Sequence, residues 1–470
     1  MAGILDDLNL LRKYDAYAFD YIEYPHKSFW SDKVTDADVR EALDKVFLAR
    51  PDEPVLLYLH IPFCQQLCWF CICHREITRD YERVRQYLDE VLLPEIDLLI
   101  AHCQARGIRP NIRQVYMGGG TPTYLNEADF DRLFERLAPI LDTRRLDDFA
   151  IEVDPRRVDV ERLRFYASRG INKISFGIQD FDPQVQEAVN RVQPPELIER
   201  LLTPEVRKAF PSINFDLLVG LPRQTPDSIR ATVERTVAMR PDRISLAYVH
   251  YGPKFHPHQT QMNRQELLPD FFGRRRLFVE ALKVLETSDY VRTGFEHFAL
   301  PGDRVAQAVA EGTATYTSLG AVSGDCGTVI ALGSASYSTI GQRFQVQWLY
   351  EREPYVAALK DGRFPVFRGH RLTDEDIVRR DLIKSLRTYF TLDIRAFEAR
   401  HALDFASHFA RELGVLAEFV QDGLVELSSD RLTLTPIGRH FANLTASVFD
   451  AYVTAPRFDA NIPVRTAEAG

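Results

Sequence analysis

The sequence predicts an α/β protein built on a partial or full (β/α) TIM-like barrel, with an N-terminal helical arm and a C-terminal, mostly helical, winged-helix-like lid domain. Three observations carry this expectation. From Val55 onward, short apolar runs alternate with amphipathic helical stretches in six or more units, which is the pattern of a parallel sheet with right-handed crossovers. Cysteines, glycines and isolated acids fall where those runs end, and a barrel of this kind keeps its working groups at the carboxyl ends of its strands. Past residue 366 the spacing becomes that of amphipathic helices followed by a short hairpin.

Residues 1–50 read as the arm: a helical stretch over 4–14, an aromatic connector over 17–30 suited to packing, and a helix over 37–49 whose Val39, Leu43 and Phe47 share a face. The barrel occupies 51–300. Its units pair apolar run 55–60 with helix 81–103, 112–117 with 127–141, and 149–153 with 158–168. Run 173–178 follows, then 213–219 with helix 227–239, and 243–249 with a long helix near 266–287. The segment 301–365 loses this alternation, and its Gly, Ser, Thr and Ala content over 312–340 suits chain packed closely on a ligand or on the barrel's open side. In 366–454, helices are expected over 374–388, 394–405 and 407–420, a hairpin over 424–427 and 432–434, and a closing helix over 437–452. Residues 455–470 lack periodicity and read as a tail.

A chain of 470 residues can bury a large core, and its net charge of −9 disfavours a general nucleic-acid or anionic-membrane surface. The closing helix carries one Arg and one His, too little positive charge for a DNA recognition helix, so the C-terminal module reads as a lid. The triplet Arg274-Arg275-Arg276 reads as a solvated face. With no basic-then-apolar leader and no apolar run of membrane-spanning length, a cytoplasmic location is expected.

The chemistry gathers in one loop after the first apolar run. Cys64-x3-Cys68-x2-Cys71 can hold three corners of a four-iron, four-sulfur cluster and leave the fourth iron open. Cys73 lies close enough to rival the third ligand by spacing alone, and a structural zinc site is the alternative, although no second pair of ligands is present. Gly118-Gly119-Gly120-Thr121-Pro122 ends the second run, where bare backbone can approach a ligand. Glu152 and Asp154 end the third run, Gln179 and Asp180 the fourth, and Asp216 lies within the fifth. Arg191 can meet a carboxylate with its planar fork. His250, His256 and His258, in a Pro-containing loop, read as packing groups and not as a second metal site.

These residues together carry a family resemblance. The chain resembles the radical S-adenosylmethionine (SAM) enzymes of the oxygen-independent coproporphyrinogen III oxidase (dehydrogenase) group in Tyr58-x-His60-Ile61-Pro62-Phe63-Cys64-x3-Cys68-x-Phe70-Cys71-x-Cys73, Gly118-Gly119-Gly120-Thr121-Pro122, Glu152-Val153-Asp154-Pro155-Arg156, Gln179-Asp180-Phe181, Val189-Asn190-Arg191, Gly220-Leu221-Pro222 and Arg379-Arg380-Asp381-Leu382. The resemblance implies a 4Fe-4S cluster on Cys64, Cys68 and Cys71, with Cys73 not a ligand. It also implies SAM contacts at Tyr58, Phe70, Gly119, Gly120, Thr121, Glu152, Gln179, Arg191, Asp216, His250 and Tyr337, with Tyr58, Glu152 and Arg191 closest to the chemistry. The expected reaction is one-electron cleavage of SAM to a 5′-deoxyadenosyl radical that takes hydrogen from a propionate of coproporphyrinogen III, leading to protoporphyrinogen IX in haem biosynthesis. One or two SAM molecules, a tetrapyrrole substrate, a donor such as flavodoxin or ferredoxin, and a monomer are expected. The chain departs from the family's pattern at Asp20 and Glu23 before the barrel and at Leu319 and Ala321 in the late loop. These departures touch the substrate and the second SAM, and they keep a radical methyltransferase, a cyclopropanase or a haem-carrying relative in view.

Overall fold

In the computed structural model, residues 10, 13–14, 23–264, 267–317, 320–322, 324 and 326–453 are described. Asp20, Leu319 and the 455–470 stretch lie outside them, as does most of the 4–14 stretch. The chain divides into two units, one of 31–290 with 325–370 and one of 1–30, 291–324 and 371–470.

The larger unit holds the strands β1 (Pro54–Ile61), β2 (Asn111–Gly119), β3 (Asp148–Val153), β4 (Lys173–Gln179), β5 (Ser212–Val219), β6 (Arg243–Tyr248), β7 (Thr328–Leu332), β8 (Tyr337–Ile340), β9 (Phe344–Trp348) and β10 (Val366–Arg371). They lie in the order β10-β9-β8-β7-β1-β2-β3-β4-β5-β6. From β7 through β1 to β6 every pairing is parallel, whereas β8 and β9 fold back antiparallel. The outcome is a partial barrel: β7 occupies the edge of β1 that closure by β6 would need. The segment expected only to pack on the barrel thus contributes strands to its sheet. In β1 only Pro54 and Tyr58 are not buried, as expected of a strand covered on both faces.

Helices connect the strands where the apolar period is helical, and side-chain caps set their starts. Asn126 caps Glu127–Leu137, Asp159 caps Val160–Ser168, and Thr225 with Ser228 forms a capping box on Pro226–Met239. The stretch expected as one helix over 81–103 is helix, a π turn at Leu88–Leu92, and helix again to Arg106, ended by Gly107 in the left-handed region. Between β4 and β5 stand three short helices, Pro183–Ala188, Pro195–Leu201 and Pro204–Ala209, that periodicity did not reveal. Each opens on a proline, and so many breaks leave too few turns for a pattern. The long helix begins at Phe271, capped by Asp270. In the arm, Asp36–Ala49 buries Val39, Leu43 and Phe47 as expected, with Ala42 and Val46 beside them.

In the smaller unit the expected hairpin is present as Val425–Leu427 against Arg431–Leu434, extended by Thr391–Asp393 into three strands. Asp374–Thr388 is one helix; the stretch over 394–405 stops at His401, and that over 407–420 divides into Phe405–His408 and Ala410–Gln421. The closing helix is also shorter than expected, a 3-10 turn at Gly438–Phe441 leading into Ala442–Ser447. Gly438 lies so close to the Leu424 carbonyl that no side chain would fit between the turn and the hairpin. Tyr14 packs its ring 5.0 Å from Phe419 and 5.6 Å from Phe441 and donates to Asp422 Oδ2 at 2.5 Å. Glu23, one of the departures, is buried and accepts from the Lys27 N–H, so its carboxylate serves the local turn. Ala321 lies in a two-stranded ribbon of Thr315–Thr317 with Gly320–Val322.

Candidate active site

Most predicted residues of the larger unit fall at the carboxyl ends of consecutive parallel strands; Tyr58 and Asp216 lie inside β1 and β5, Arg191 follows a short helix, and Tyr337 opens the antiparallel β8. Cys64 follows β1, and its backbone is pinned by Thr78 N–H on Cys64 O at 3.0 Å and Thr121 N–H on Phe63 O at 2.8 Å. Farther along, the loop is clamped to the segment after Pro183–Ala188. Gln66 donates to Asn190 Oδ1 at 2.9 Å, Asn190 returns a bond to Leu67 O at 2.8 Å, and Trp69 N–H reaches Val189 O at 3.1 Å.

The three thiols sit in different surroundings. Arg191 Nη1 lies 3.4 Å and Arg156 Nη2 3.8 Å from Cys68 Sγ, while Thr121 Oγ1 is 3.3 Å from Cys64 Sγ. Burial pushes the Cys64 thiol up to about 11. The Cys71 thiol is lowered, first by a hydrogen bond from Cys73, and Cys73 is raised by the same contact. A neutral thiol needs no guanidinium, so two of them on one buried sulfur suit a thiolate bound to a metal cluster. The donor set therefore fits a sulfur-ligated cluster. Among the described residues no three Cys, His, Asp or Glu side chains are grouped as around a single metal ion.

The glycine run passes beneath. Gly119 has φ +117°, and a Cβ there would meet the His60 ring at 2.7 Å. At Gly120 a Cβ would stand 2.8 Å from the Pro62 carbonyl carbon and 2.9 Å from Phe63 N, atoms of backbone that cannot swing aside. Glu152 on β3 accepts from Gly119 N–H and from Tyr116 OH, both at 3.2 Å. Burial, then the charge of Asp216, raises its carboxyl to about 7. Tyr58 stacks on Tyr116 with centroids 6.1 Å apart and its hydroxyl is 3.2 Å from His60 Nδ1; burial lowers His60 to about 4. Asp216 on β5 accepts from Ser175 at 2.6 Å and Asn214 at 2.7 Å.

Arg191 joins several of these parts. It donates to Gly177 O at 2.7 Å and pairs with Asp154 Oδ1 at 3.7 Å, and its Nε is buried without a partner. Asp154 in turn holds Arg156 through bonds of 2.9 and 2.7 Å. Burial raises the Asp154 carboxyl, but Arg191 and Arg156 outweigh it and hold it at about 2. Gln179, at φ 68° after a bulge in β4, meets Arg191 over Gly177, where a Cβ would come within 2.8 Å of Arg191 Nη2 and 2.9 Å of Gln179 Nε2. Asp180 stands apart from this group, buried and bonded to Gln224 and Thr232.

Phe70 packs against an apolar cluster of Val185, Val189, Leu221, Val249 and Met262. His250 follows β6, and Tyr337 opens β8 opposite Gln347. Sequence reasoning missed Tyr116, Ser175 and Asn214, which shape the acids, and Gln259, which bonds the carbonyls of Phe70 and His250. The first three alternate with core positions along strands that carry predicted residues, a signal that was available; Gln259 had none. His258, expected to pack, bonds the Cys71 carbonyl at 2.8 Å. A cavity of about 750 Å³ opens beside the loop, bordered by Gln65, Thr121, Arg156 and Arg157.

A parallel α/β core with a three-thiol loop on its first strand and a glycine run on its second is the construction of the radical SAM class. Consistent with this, the Radical SAM superfamily matches residues 58–236 and the HemN C-terminal domain matches residues 372–441. Oxygen-independent coproporphyrinogen III oxidase of Salmonella typhimurium is 34% identical over 95% of this chain and 95% of its own, and that of Escherichia coli (strain K12) is 33% identical over the same shares. The solved structure of coproporphyrinogen III oxidase (HemN) from Escherichia coli, described as a radical SAM enzyme, superimposes with a TM-score of 0.85 at 33% identity, covering 95% of this chain and 99% of that one. The chain belongs to the oxygen-independent coproporphyrinogen III oxidase family, a family of radical SAM oxidoreductases.

Proposed function

We propose that this chain performs the oxygen-independent oxidative decarboxylation of coproporphyrinogen III to protoporphyrinogen IX. The observation that carries the reading is Arg191, whose guanidinium meets Cys68 Sγ, Gly177 O and the Asp154 carboxylate at once and so joins the cysteine loop to the strand-end polar groups. Cys64, Cys68 and Cys71 hold the 4Fe-4S cluster. Gly119, Gly120 and Thr121 present backbone to SAM, while Glu152, Gln179 and Asp216 take its amino and hydroxyl groups. Arg191 takes its carboxylate. Tyr58, Phe70, His250 and Tyr337 border the same molecule. With cluster and SAM bound, the chemistry they supply is one-electron cleavage of the sulfonium and removal of a hydrogen atom from the substrate. The protein's part is to position the groups and keep water out, and the burial that raises Glu152 and Asp216 is the property such a site needs.

The reading extends to a cytoplasmic monomer reduced by a donor such as flavodoxin or ferredoxin, with one SAM, or two, bound. No helix among the described residues is long and apolar enough to cross a membrane. The deciding experiment supplies anaerobically reconstituted protein with SAM, a reductant and coproporphyrinogen III. Vinyl product, carbon dioxide and 5′-deoxyadenosine together support the reading. S-adenosylhomocysteine without turnover of coproporphyrinogen points to methyl transfer, and haem binding without SAM cleavage points to a carrier.

A further inference from the structure

The 3-10 helix Pro257–Asn263 lies against the cysteine loop and offers it three side chains. Met262 joins the apolar cluster against which Trp69 and Phe70 pack, and His258 bonds the Cys71 carbonyl. Between them Gln259, with no exposed surface, uses both N–H groups and its oxygen. Its Nε2 donates to Phe70 O at 3.0 Å and to His250 O at 2.8 Å, and its Oε1 accepts from Gly252 N–H at 2.7 Å.

One amide therefore ties together the residue before Cys71 and the chain leaving β6, two segments that share no strand pairing. We propose that Gln259 is a positioning residue for SAM: it sets the spacing between Phe70 and His250, and with it the walls of the SAM site. This rests on the reading above, in which residues 70 and 250 border that molecule. An apolar side chain of the same length would fill the space yet leave two carbonyls and one amide without their partner, so the loop and the strand end would drift apart while the thiols stayed in place.

The test compares wild type, Q259M, Q259E and the exposed-neighbour control T260A as full-length, anaerobically reconstituted chains. Iron per chain, thermal melting, SAM affinity by equilibrium dialysis, and the separate kcat and KM for SAM are measured. Q259M is expected to keep the iron content and fold of wild type and to lose at least five-fold in SAM affinity, with KM rising more than kcat falls; T260A matches wild type throughout. A loss below five-fold overturns the proposal, as does a folded Q259M that has lost its iron, because the amide would then serve loop assembly. Should Q259M not fold, the same thresholds apply to Q259E, which keeps an acceptor for Gly252. A wild-type chain that takes up neither iron nor SAM overturns the functional reading itself, which separates the two failures.

Discussion

Cys68 is the buried thiol of the loop and has two guanidiniums within 3.8 Å, whereas Cys73 is exposed. C68S is expected to bring iron per chain to background and abolish SAM cleavage, while C73S keeps the iron; iron and sulfide analysis of both variants checks this. A second residue makes a prediction about pH. Glu95 is fully buried, and burial raises its carboxyl to about 8 against the pull of Tyr355 OH and Gly333 N–H, both bonded to Oε2. From about pH 4.5 to 8 the unfolded chain releases this proton and the folded chain keeps it. Stability from this group is therefore complete below 4.5 and falls as pH rises to 8, by on the order of 3–5 kcal/mol. E95Q removes that slope, so urea unfolding should show its stability gaining on wild type between pH 5 and pH 8; equal slopes would contradict the assignment. Glu95 carried no signal in the sequence, because one acid within an amphipathic helix reads as a solvated position. The cysteines were legible because their spacing has few other uses.

At the scale of elements, the glycine run gives the sharpest contrast. Gly120 faces backbone at 2.8 Å, whereas Gly107 has φ +67° but nothing within 4 Å of where a Cβ would stand. G107A is expected to cost about 1 kcal/mol through backbone strain alone. G120A carries no such strain but must push Pro62 and Phe63 apart from β2, costing about 2–4 kcal/mol and lowering iron retention; paired urea unfolding and iron assays check both. Strands were legible where burial on both faces produced a nearly unbroken apolar run, as in β1, and where buried and half-buried positions alternate, as in β5. Helix ends were less so, since the π turn at Leu88–Leu92 and the stop at His401 come from local geometry that leaves hydrophobic spacing nearly intact. The three proline-opened helices before β5 were invisible for the opposite reason, being too short to show a period.

At the scale of the molecule, the parallel run of strands was legible, but its openness was not. Nothing in the composition of 328–332 says that it pairs beside β1, a contact spanning some of the longest sequence separations in the sheet. Lys13 and Tyr14 likewise belong with the smaller unit: Tyr14 is 1% exposed, and Lys13 pairs with Asp422 and Glu418. Y14A is expected to destabilise that unit by about 3–5 kcal/mol, lowering the unfolding midpoint. The substrate was the least legible feature: of the departures that bear on it, Glu23 serves a local turn and Ala321 sits in a two-stranded ribbon, neither of them on the large sheet. Three thiolates holding a cluster whose remaining iron is open to SAM is the feature on which the chemistry depends, and low-temperature electron paramagnetic resonance of the reduced, reconstituted chain probes it without an intermediary. A reduced four-iron signal that changes on adding SAM and is absent from C68S is expected; a signal indifferent to SAM, or a loop filled with zinc in place of iron, rules the cluster site out.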